Sequence, residues 1–357
     1  MTAGAFATHL AFAALLAALS AGVAWLVAAR RPLVDDPARR AATMHDAPTP
    51  KGGGLGVVAA FVAGMAVLYL DADNARIAAP QFLGVIGAAV AIAAVGLADD
   101  ARDLRTLPRL AAQLGAALVA VGSGLVLTRL ALPWIGVVDL GAWGVALTLF
   151  WIVGCTNAVN FMDGSDGLVG GSVLVACAAL CAVSALQGGW FVYAASLFLS
   201  AGLAGFLPFN LPRPAARVFL GDVGSQFLGF TLAVLAVAAS RFDVNQVSFL
   251  IVPLLLFGLL FDAGLTLARR AIAGEPLARP HRTHLYQMAR RAGVPAPRVA
   301  ALHAGFAAFH GALALVFPHL SPAAKPLVVA PALAVQLAWA AYVAARVRRA
   351  GLSWRGG

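Results

Sequence analysis

Long apolar segments separated by short polar ones run along the chain from end to end. Each is roughly 16 to 22 residues long, which is enough for a helix to cross a hydrocarbon core of about 30 Å. Several are rich in Ala and Gly, residues that let helices pack closely in lipid. The pattern therefore predicts an all-α polytopic membrane protein with about eleven transmembrane helices in a single domain, 1–357. The predicted spans lie at approximately 8–29, 53–70, 81–98, 109–128, 143–159, 168–187, 189–207, 226–240, 247–268, 299–318 and 325–345.

Composition agrees with a membrane protein. The 357 residues are 61% hydrophobic and only 11% charged, a balance with too little polar surface for a water-soluble domain. The first segment is too long for the core of a cleaved signal peptide, so we expect it to be retained as a helix.

The net charge of +10 raises the question of a nucleic-acid partner, and the positions of the basic residues answer it. If the N-terminus is outside, 21 of the 25 Lys and Arg residues fall on the cytoplasmic side. Only Arg76, Arg129, Arg241 and Lys325 fall outside, and this asymmetry is the positive-inside signature of a membrane protein. We therefore predict an external N-terminus, a cytoplasmic C-terminus and no nucleic-acid partner.

The 15 acidic residues indicate where chemistry takes place, because carboxylates are costly in lipid. On the same topology most are cytoplasmic and lie at helix ends beside Gly and Asn. Asp262 alone falls within a predicted span, where it could pair with a nearby Arg or line a polar cavity. The predicted catalytic loops on the cytoplasmic side lie near 30–52, 99–109, 157–168, 208–225 and 269–298.

The pair Asp99-Asp100 closes the third predicted span. Two interpretations are equally good. The carboxylates pair locally with Arg and stop the helix, or they bind Mg²⁺, which takes one or two carboxylates and leaves its other positions to water and phosphate.

A second motif, Asn157-x-x-Asn160-x-x-Asp163-x-x-Asp166, closes the fifth span. Polar side chains at a spacing of three would share one face of a helix, but two glycines in the segment favour a turn that gathers amides and carboxylates around a ligand. Helix capping uses only one or two such residues, so a binding function is favoured.

A third motif, Gly221-Asp222-Val-Gly224-Ser225, opens the eighth span. A glycine-rich turn at a helix N-terminus presents free N–H groups, which favour a phosphate or a bound carboxylate. An N-cap would explain Asp222 or Ser225 equally well.

Two loops add positive charge. The loop His281-Arg282-Thr-His284-Leu-Tyr286-Gln287 has basic and imidazole groups that could hold a pyrophosphate or move protons. A solvated loop would explain its arginine but not two histidines and a tyrosine. Lys51 lies in a flexible turn beside the second span.

In this order the motifs resemble those of the polyprenyl-phosphate N-acetylhexosamine-1-phosphate transferases, the WecA/MraY-like superfamily of glycosyltransferase family 4. The loop from His281 to Gln287 departs from the histidine-rich pattern of the peptidoglycan branch and is similar to that of WbpL-like enzymes that initiate O-antigen synthesis. The resemblance covers nearly the whole chain: Pro48 to Gly54 is similar to the first cytoplasmic loop, Asp99-Asp100 to the paired aspartates, Asn157 to Leu168 to the Asn-rich DGxDGL segment, and Phe219 to Ser225 to the GDxGS turn.

The resemblance implies an enzyme of the bacterial cytoplasmic membrane whose active site faces the cytoplasm. It implies transfer of an N-acetylhexosamine 1-phosphate from a UDP-sugar to polyprenyl phosphate, such as undecaprenyl phosphate, with release of UMP. The lipid-linked product would feed O-antigen, the polysaccharide of lipopolysaccharide, or another cell-surface polysaccharide. The implied cofactor is Mg²⁺, with Mn²⁺ as a substitute, and a homodimer is compatible with the family.

The resemblance also implies roles for individual residues. Asp222 is the expected metal ligand, and Asp99 or Asp100 shares the metal or orients the lipid phosphate; these three are the expected catalytic residues. The expected substrate-binding residues are Lys51, then Asn157, Asn160, Asp163 and Asp166 for the nucleotide, and His281, Arg282 and His284 for the sugar diphosphate.

Two other functions remain open from the sequence. An intramembrane prenyltransferase would bind a diphosphate through Mg²⁺ with the acidic motifs at Asp99 and Asp163, but it leaves the Asp222 motif and the histidine loop unexplained. A secondary transporter would fit the number of spans, but transporters place their polar sites near the midplane of the membrane. An assay for UMP release separates both from the transferase.

Overall fold

Helices dominate the part of the chain that the computed structural model describes, which is residues 3–35, 48–71, 79–132, 135–211, 215–241, 247–277, 281–321 and 323–354. Parts of three predicted loops, 36–47, 212–214 and 278–280, lie outside these ranges. The helices are α1 Ala3–Arg30, α2 Gly54–Asp71, α3 Ala79–Arg102, α4 Thr106–Gly122, α5 Trp143–Met162, α6 Leu168–Gln187, α7 Trp190–Asn210, α8 Gly221–Ala239, α9 Ile251–Leu255, α10 Phe257–Ile272, α11 Leu285–Arg291, α12 Ala296–Val316 and α13 Val329–Arg349. Two antiparallel hairpins pair β1 Val34–Asp35 with β2 Thr49–Pro50 and β3 Arg129–Leu132 with β4 Gly136–Asp139.

The predicted class of fold, a polytopic helical membrane protein, is confirmed. Within the described ranges, eight helices are long and apolar enough to cross a membrane by length and composition: α1, α3, α5, α6, α7, α8, α12 and α13. Helices α2 and α4 are apolar but shorter. The count of eleven spans and the orientation of the termini stay predictions.

Three features of the backbone differ from the sequence prediction. The predicted span at 247–268 is two helices, because the backbone turns at Leu256 between α9 and α10. Helix α8 begins at Gly221 instead of near 226, because a carboxylate from another helix caps its polar first turn. The two hairpins were not predicted, since strands of two to four residues are too short to show an alternating pattern.

Helix α8 is the centre of the bundle. Nearly all of its side chains are buried, and it packs against α2, α3 and α5. The close approach depends on glycine, because a Cβ at Gly54 would clash with Gly224 and a Cβ at Gly96 would clash with the backbone of Asp222. The N-terminus of α8 is therefore held against the start of α2 and the last turns of α3.

The periphery of the bundle is apolar. Helices α1, α4 and α13 expose large apolar side chains, among them Leu15, Trp25, Leu118 and Leu337. On a soluble protein such a surface would be an association site, whereas on a membrane-spanning bundle it is the surface that contacts lipid.

The last turns of α13 and the segment after it pack against α10 and α11. Arg346 Nη2 donates to the carbonyl oxygen of Ala292 at 2.9 Å. Arg269 Nη1 donates to the carbonyl oxygen of Trp354 at 2.8 Å, and its guanidinium carbon lies 5.0 Å from the centroid of that indole. Arg269 Nη2 donates to the carbonyl oxygen of Thr283 at 3.1 Å. The C-terminal segment thus braces the loop that precedes α11.

Candidate active site

Lys51 lies between two carboxylates. Its Nζ is 4.0 Å from Asp35 Oδ1 and 3.9 Å from Asp100 Oδ1, and only 8% of its side chain is exposed. The backbone fixes this position, because the N–H of Phe219 donates to the carbonyl oxygen of Pro50 at 2.8 Å. The loop that contains Lys51 and the segment before α8 are therefore joined, and Lys51 lies within ion-pair distance of Asp100. Substrate binding by Lys51 stays a prediction.

Asp100 caps the N-terminus of α8. Its Oδ1 accepts from the N–H of Asp222 and its Oδ2 from the N–H of Val223, both at 3.1 Å. Gly221 has a φ of +76°, and the Asp100 carboxylate leaves no space for a Cβ there. Of the two ligands that suit such a helix start, phosphate and carboxylate, the described chain supplies the carboxylate.

Asp99 points the other way and pairs with α4. Its Oδ1 accepts from the N–H of Leu104 at 2.8 Å, and its Oδ2 accepts from Arg109 Nη1 at 3.1 Å. This is the local pairing that one interpretation of the motif gave. Both oxygens are engaged, so metal binding by Asp99 stays a prediction that these contacts do not favour.

Asn160 connects α5 to the start of α8. Its Nδ2 donates to Asp222 Oδ1 at 2.5 Å and to Ser225 Oγ at 2.9 Å. Ser225 Oγ in turn donates to the carbonyl oxygen of Gly221 at 3.0 Å. The second and third sequence motifs therefore meet through side chains.

Asn157 lies one helical turn before Asn160 and contacts α4. Its Nδ2 donates to Gln113 Oε1 at 2.6 Å and to the carbonyl oxygen of Val153 at 2.9 Å. Gln113 Nε2 donates to Gln226 Oε1 at 2.9 Å. Three helices, α4, α5 and α8, are thus linked by side-chain amides.

Asp163 and Asp166 lie in the turn between α5 and α6. Helix α7 fixes this turn, because Asn210 Oδ1 accepts from the N–H of Gly167 at 2.9 Å. Asn210 Nδ2 also donates to the carbonyl oxygen of Val218 at 3.1 Å. The turn and the segment that leads into α8 are therefore held at a fixed separation.

Acidic side chains collect where these elements meet. Burial raises the pKa of Asp163 well above its usual range, and the charges of Asp222, Asp100 and Asp166 raise it further. Arg109 and Lys51 pair with the first acidic motif. Among the described residues, neither Asp163 nor Asp222 has an ion pair.

Within the described ranges, no three His, Cys, Asp or Glu residues already surround a common metal position. Asp163 and Asp222 nevertheless offer hard oxygen donors near one another in the site. Such donors, completed by water and phosphate, are the ligands that Mg²⁺ takes. These residues fit Mg²⁺ better than Asp99, whose two oxygens are both engaged.

Asp262 fixes the start of α11, a role that the sequence left open. Its Oδ1 accepts from the N–H of Leu285 at 2.8 Å and its Oδ2 from the N–H of Tyr286 at 3.0 Å. His284 Nδ1 lies 3.3 Å from Asp262 Oδ1. Of the two alternatives that the sequence allowed, pairing with a nearby arginine is not observed, since Arg270 pairs with Glu275 at 2.7 Å and Arg269 donates to backbone carbonyl oxygens.

The histidine loop packs on the turn that contains Asp163 and Asp166. Tyr286 Oη donates to the carbonyl oxygen of Phe161 at 3.2 Å, and the same hydroxyl leaves no space for a Cβ at Gly164. The ring centroids of Phe161 and His284 are 6.0 Å apart. The fourth motif is therefore adjacent to the second.

Within this loop His281 stacks on His284, with ring centroids 4.9 Å apart. Burial lowers the pKa of His281 to about 4, and the charges of His284, Arg270 and Arg269 contribute to the shift. His281 is therefore neutral at physiological pH. The buried Nε of Arg282 has no hydrogen-bond partner in the described chain.

Sequence reasoning did not single out Arg109, Gln113, Gln226 or Asn210 as site residues. Arg109 and Gln113 did carry a signal, because they lie four residues apart in an otherwise apolar segment and so share one face of α4. Asn210 carried none, since its contacts are made by the folded backbone of two distant segments.

Comparison with known proteins finds one matching family and several relatives. Residues 82–240 match Glycosyl transferase family 4. The chain is 31% identical over 258 residues to the probable undecaprenyl-phosphate N-acetylglucosaminyl 1-phosphate transferase of Bacillus subtilis, which covers 71% of this chain and 68% of the relative. It is 31% identical over 335 residues to the decaprenyl-phosphate N-acetylglucosaminephosphotransferase of Mycobacterium tuberculosis, which covers 85% of this chain and 81% of the relative. It is 34% identical over 205 residues to the phospho-N-acetylmuramoyl-pentapeptide-transferase of Leuconostoc citreum, which covers 52% of this chain and 61% of the relative.

Proposed function

The chain belongs to glycosyl transferase family 4, the WecA/MraY-like superfamily, and from this premise we propose that it transfers an N-acetylhexosamine 1-phosphate from a UDP-sugar to polyprenyl phosphate. A phosphate oxygen of the lipid attacks the β-phosphorus of the donor. The bond from that phosphorus to the bridging oxygen breaks, UMP leaves, and a polyprenyl diphosphosugar forms. The observation that carries the proposal is the convergence of the motifs of α3, α5 and α8 at one end of the bundle.

The sugar is proposed from the relatives. Two of them that cover most of this chain are named as N-acetylglucosamine phosphotransferases, so UDP-N-acetylglucosamine is the first donor to test. The lipid-linked product would initiate O-antigen or another cell-surface polysaccharide on the cytoplasmic side of the bacterial inner membrane.

Phosphoryl-type transfer requires positioned anions and neutralised charge more than a protein nucleophile. Asp222 is the proposed principal ligand of Mg²⁺, with Asp163 beside it. When bound, Mg²⁺ would neutralise the diphosphate of the donor. The oxygens of Asn160 and Asp166 lie near these carboxylates and would bind the nucleotide.

Asp99 and Asp100 have positioning roles in this proposal. Asp100 holds the N-terminus of α8, and therefore Asp222, in place. Asp99 holds Arg109, whose side chain is 21% exposed and could orient the phosphate of the lipid. This is one of the two roles expected for the paired aspartates.

The histidine loop would contact the sugar diphosphate. Arg282 supplies a permanent positive charge, while neutral His281 acts as a hydrogen-bonding group. Family membership sets aside both the prenyltransferase and the transporter interpretations.

The test uses purified protein in detergent with undecaprenyl phosphate, Mg²⁺ and a panel of UDP-N-acetylhexosamines. We expect UMP and one lipid-linked sugar to appear together with a single donor. Asp222→Asn, prepared in the same detergent, is the matched inactive control. If no donor in the panel releases UMP while the protein remains folded, the proposed reaction is wrong.

A further inference from the structure

Side-chain amides form a directed chain of hydrogen bonds that begins at Asn157, one helical turn before Asn160. The amide relay consists of Asn157 on α5, Gln113 on α4 and Gln226 on α8. Gln113 and Gln226 are 1% and 0% exposed, so the relay lies inside the bundle, in a part of the chain that is otherwise apolar. Buried amides are costly unless their hydrogen bonds are made, so such a chain calls for a functional explanation.

The direction of the relay is fixed by the backbone. Asn157 contacts the carbonyl oxygen of Val153 at 2.9 Å, and a carbonyl oxygen can only accept a hydrogen bond. The Nδ2 of Asn157, not its Oδ1, must therefore face Val153. Its second N–H then points to Gln113 Oε1, which turns Gln113 Nε2 toward Gln226 Oε1.

Asn160 is oriented in the same sense by a different set of partners. Its two N–H groups point to Asp222 Oδ1 and to Ser225 Oγ. The Ser225 hydroxyl is already donating to the carbonyl oxygen of Gly221, so it can only accept from Asn160 here. Both N–H groups of each asparagine are thus consumed by protein.

Only acceptor atoms remain for a ligand. The Oδ1 atoms of Asn157 and Asn160 accept no hydrogen bond from the described residues, and neither is enclosed by protein. They lie on one face of α5, three residues apart, and Asp163 follows in the same direction. The two asparagine oxygens cannot donate a hydrogen bond to a phosphate oxygen, but they can accept from an imide N–H or from a ribose hydroxyl.

We propose that Gln113 and Gln226 are positioning residues that hold Asn157 with its carbonyl oxygen toward the site, so that α5 accepts hydrogen bonds from the nucleoside of the donor. The inference rests on the proposed function and deepens it. Without the relay, only the contact with the carbonyl oxygen of Val153 would orient the Asn157 amide, and its Oδ1 would be held less firmly toward the site. Neither glutamine contacts the substrate itself.

The free end of the relay agrees with this assignment. Gln226 Nε2 is buried and has no hydrogen-bond partner among the described residues. An apolar side chain at 226 would avoid that unpaired donor. A glutamine at position 226 is explained if the function of its Oε1 is to orient Gln113.

The test is a double-mutant cycle between positions 113 and 157. Gln113→Met keeps the length of the side chain and removes its amide, and Asn157→Ala removes the residue that the relay orients. We expect Gln113→Met alone to lower kcat/KM for the UDP-sugar about 3- to 10-fold, with the KM for undecaprenyl phosphate unchanged. In the Asn157→Ala background the same change should cost less than about 2-fold, because its target is gone.

A purely structural role predicts a different result. If the relay only holds α4, α5 and α8 together, Gln113→Met lowers activity by the same factor in both backgrounds, and the proposal is overturned. Wild-type kinetics in Gln113→Met overturn it too. Should Gln113→Met not fold, Gln226→Met takes its place in the cycle, with the same expectation and the same contradicting results.

The matched control is Gln336→Met on α13, where the glutamine is equally buried and also has an Nε2 without a partner. We expect wild-type kinetics from this variant, because the residue is not part of the site.

Calorimetric binding of UDP separates this inference from the proposed reaction. UDP shares the nucleoside diphosphate of every donor, so the cycle can be repeated on UDP affinity without turnover. A wild-type protein that binds UDP but releases no UMP from any donor contradicts the reaction alone, and the coupling in UDP affinity then decides the relay. A wild-type protein that does not bind UDP overturns the relay as well.

Discussion

Asp100 and Asp262 contact the backbone in the same way, each accepting hydrogen bonds from two consecutive N–H groups at the start of another helix. Asp100 does so at α8 and Asp262 at α11. Helix α8 carries Asp222 in its first turn, and α11 begins directly after His284. Both borders of the candidate site are therefore fixed by a carboxylate from outside the local segment. The contribution of each of these two carboxylates can be tested separately.

Asp262→Asn should destabilise the protein. One N–H of Leu285 or Tyr286 would face the NH₂ group of the new amide, and His284 would lose its charged neighbour. A buried charged cap of this kind contributes about 2 to 4 kcal/mol. We expect a lower unfolding temperature in detergent, measured by tryptophan fluorescence, and a lower kcat, measured by UMP release.

The control for this change is Asp139→Asn. Asp139 is an exposed residue of the hairpin β3–β4, and its ion pair with Arg129 spans 4.0 Å in solvent. The unfolding temperature of Asp139→Asn should match that of the wild type. Equal unfolding temperatures for both variants would show that the Asp262 cap does not stabilise α11.

Asp222→Asn should abolish turnover without unfolding the protein. The new amide can keep an oxygen toward Asn160 Nδ2, but it loses the charge that would hold Mg²⁺. A decrease in kcat of at least about 100-fold is expected. Near-normal activity at saturating Mg²⁺ would remove Asp222 from the metal site.

Asp100→Asn should show a different phenotype, with loss of both activity and stability. An NH₂ group would face the N–H of Asp222 or Val223, and Lys51 would lose a counter-ion. Unfolding temperature therefore separates the two aspartates. Identical unfolding temperatures for Asp100→Asn and the wild type would contradict the capping role.

Arg282→Lys, His281→Ala and His284→Ala should each lower kcat more than they raise the KM for the donor. A group that acts mainly in the transition state lowers turnover, and lysine reproduces the bidentate contacts of arginine poorly. Steady-state kinetics at saturating lipid phosphate measure the effect. Arg298→Lys, an exposed change near the start of α12, is the control and should behave as wild type. Wild-type values for all three loop variants would show that the charges of the loop only follow the positive-inside rule.

Acid should destabilise the wild type through His281. Its pKa is about 4 in the folded protein and near 6.5 when exposed, so the folded state favours the neutral ring. The stabilisation is complete above pH 6.5 and is lost as the pH falls toward 4. We expect the unfolding temperature of His281→Gln to fall less than that of the wild type between pH 7 and pH 4.5. Parallel curves would mean that His281 is not held neutral by the fold.

We predict the orientation of the bundle from the basic residues, of which 21 fall on the predicted cytoplasmic side and 4 on the predicted external side. A fluorescent protein fused after Gly357 should therefore fluoresce, and alkaline phosphatase at the same position should be inactive. A reversed pair of results would place the whole candidate site outside the cell.

Much of the helical fold could be predicted because a membrane span is a run of about 20 mostly apolar residues, which is visible in the sequence itself. The break at Leu256 could not be predicted, since both halves of that segment are apolar and nothing in the run marks the turn. The start of α8 was placed too late for a related reason. Its first turn is polar, and the carboxylate that caps it belongs to α3.

The candidate site shows the same division. Asn160 and Asp222 could be found from local motifs, but their contact joins residues 62 positions apart and is visible only in the fold. Lys51 carries a positive charge in the sequence, whereas its two carboxylate neighbours come from different segments. Sequence patterns therefore located the chemical groups, and packing determined which of them have partners.

The contact between Arg269 and Trp354 can form only late in the synthesis of the protein. The two residues are 85 positions apart, so at about 5 to 20 residues per second the ribosome needs roughly 4 to 17 seconds to reach Trp354 after Arg269. During that interval the ends of α3, α5 and α8 are already synthesised, while the histidine loop lacks its brace. A nascent chain interrupted before Trp354 would therefore carry every acidic residue of the site but lack the contact that Trp354 makes with Arg269.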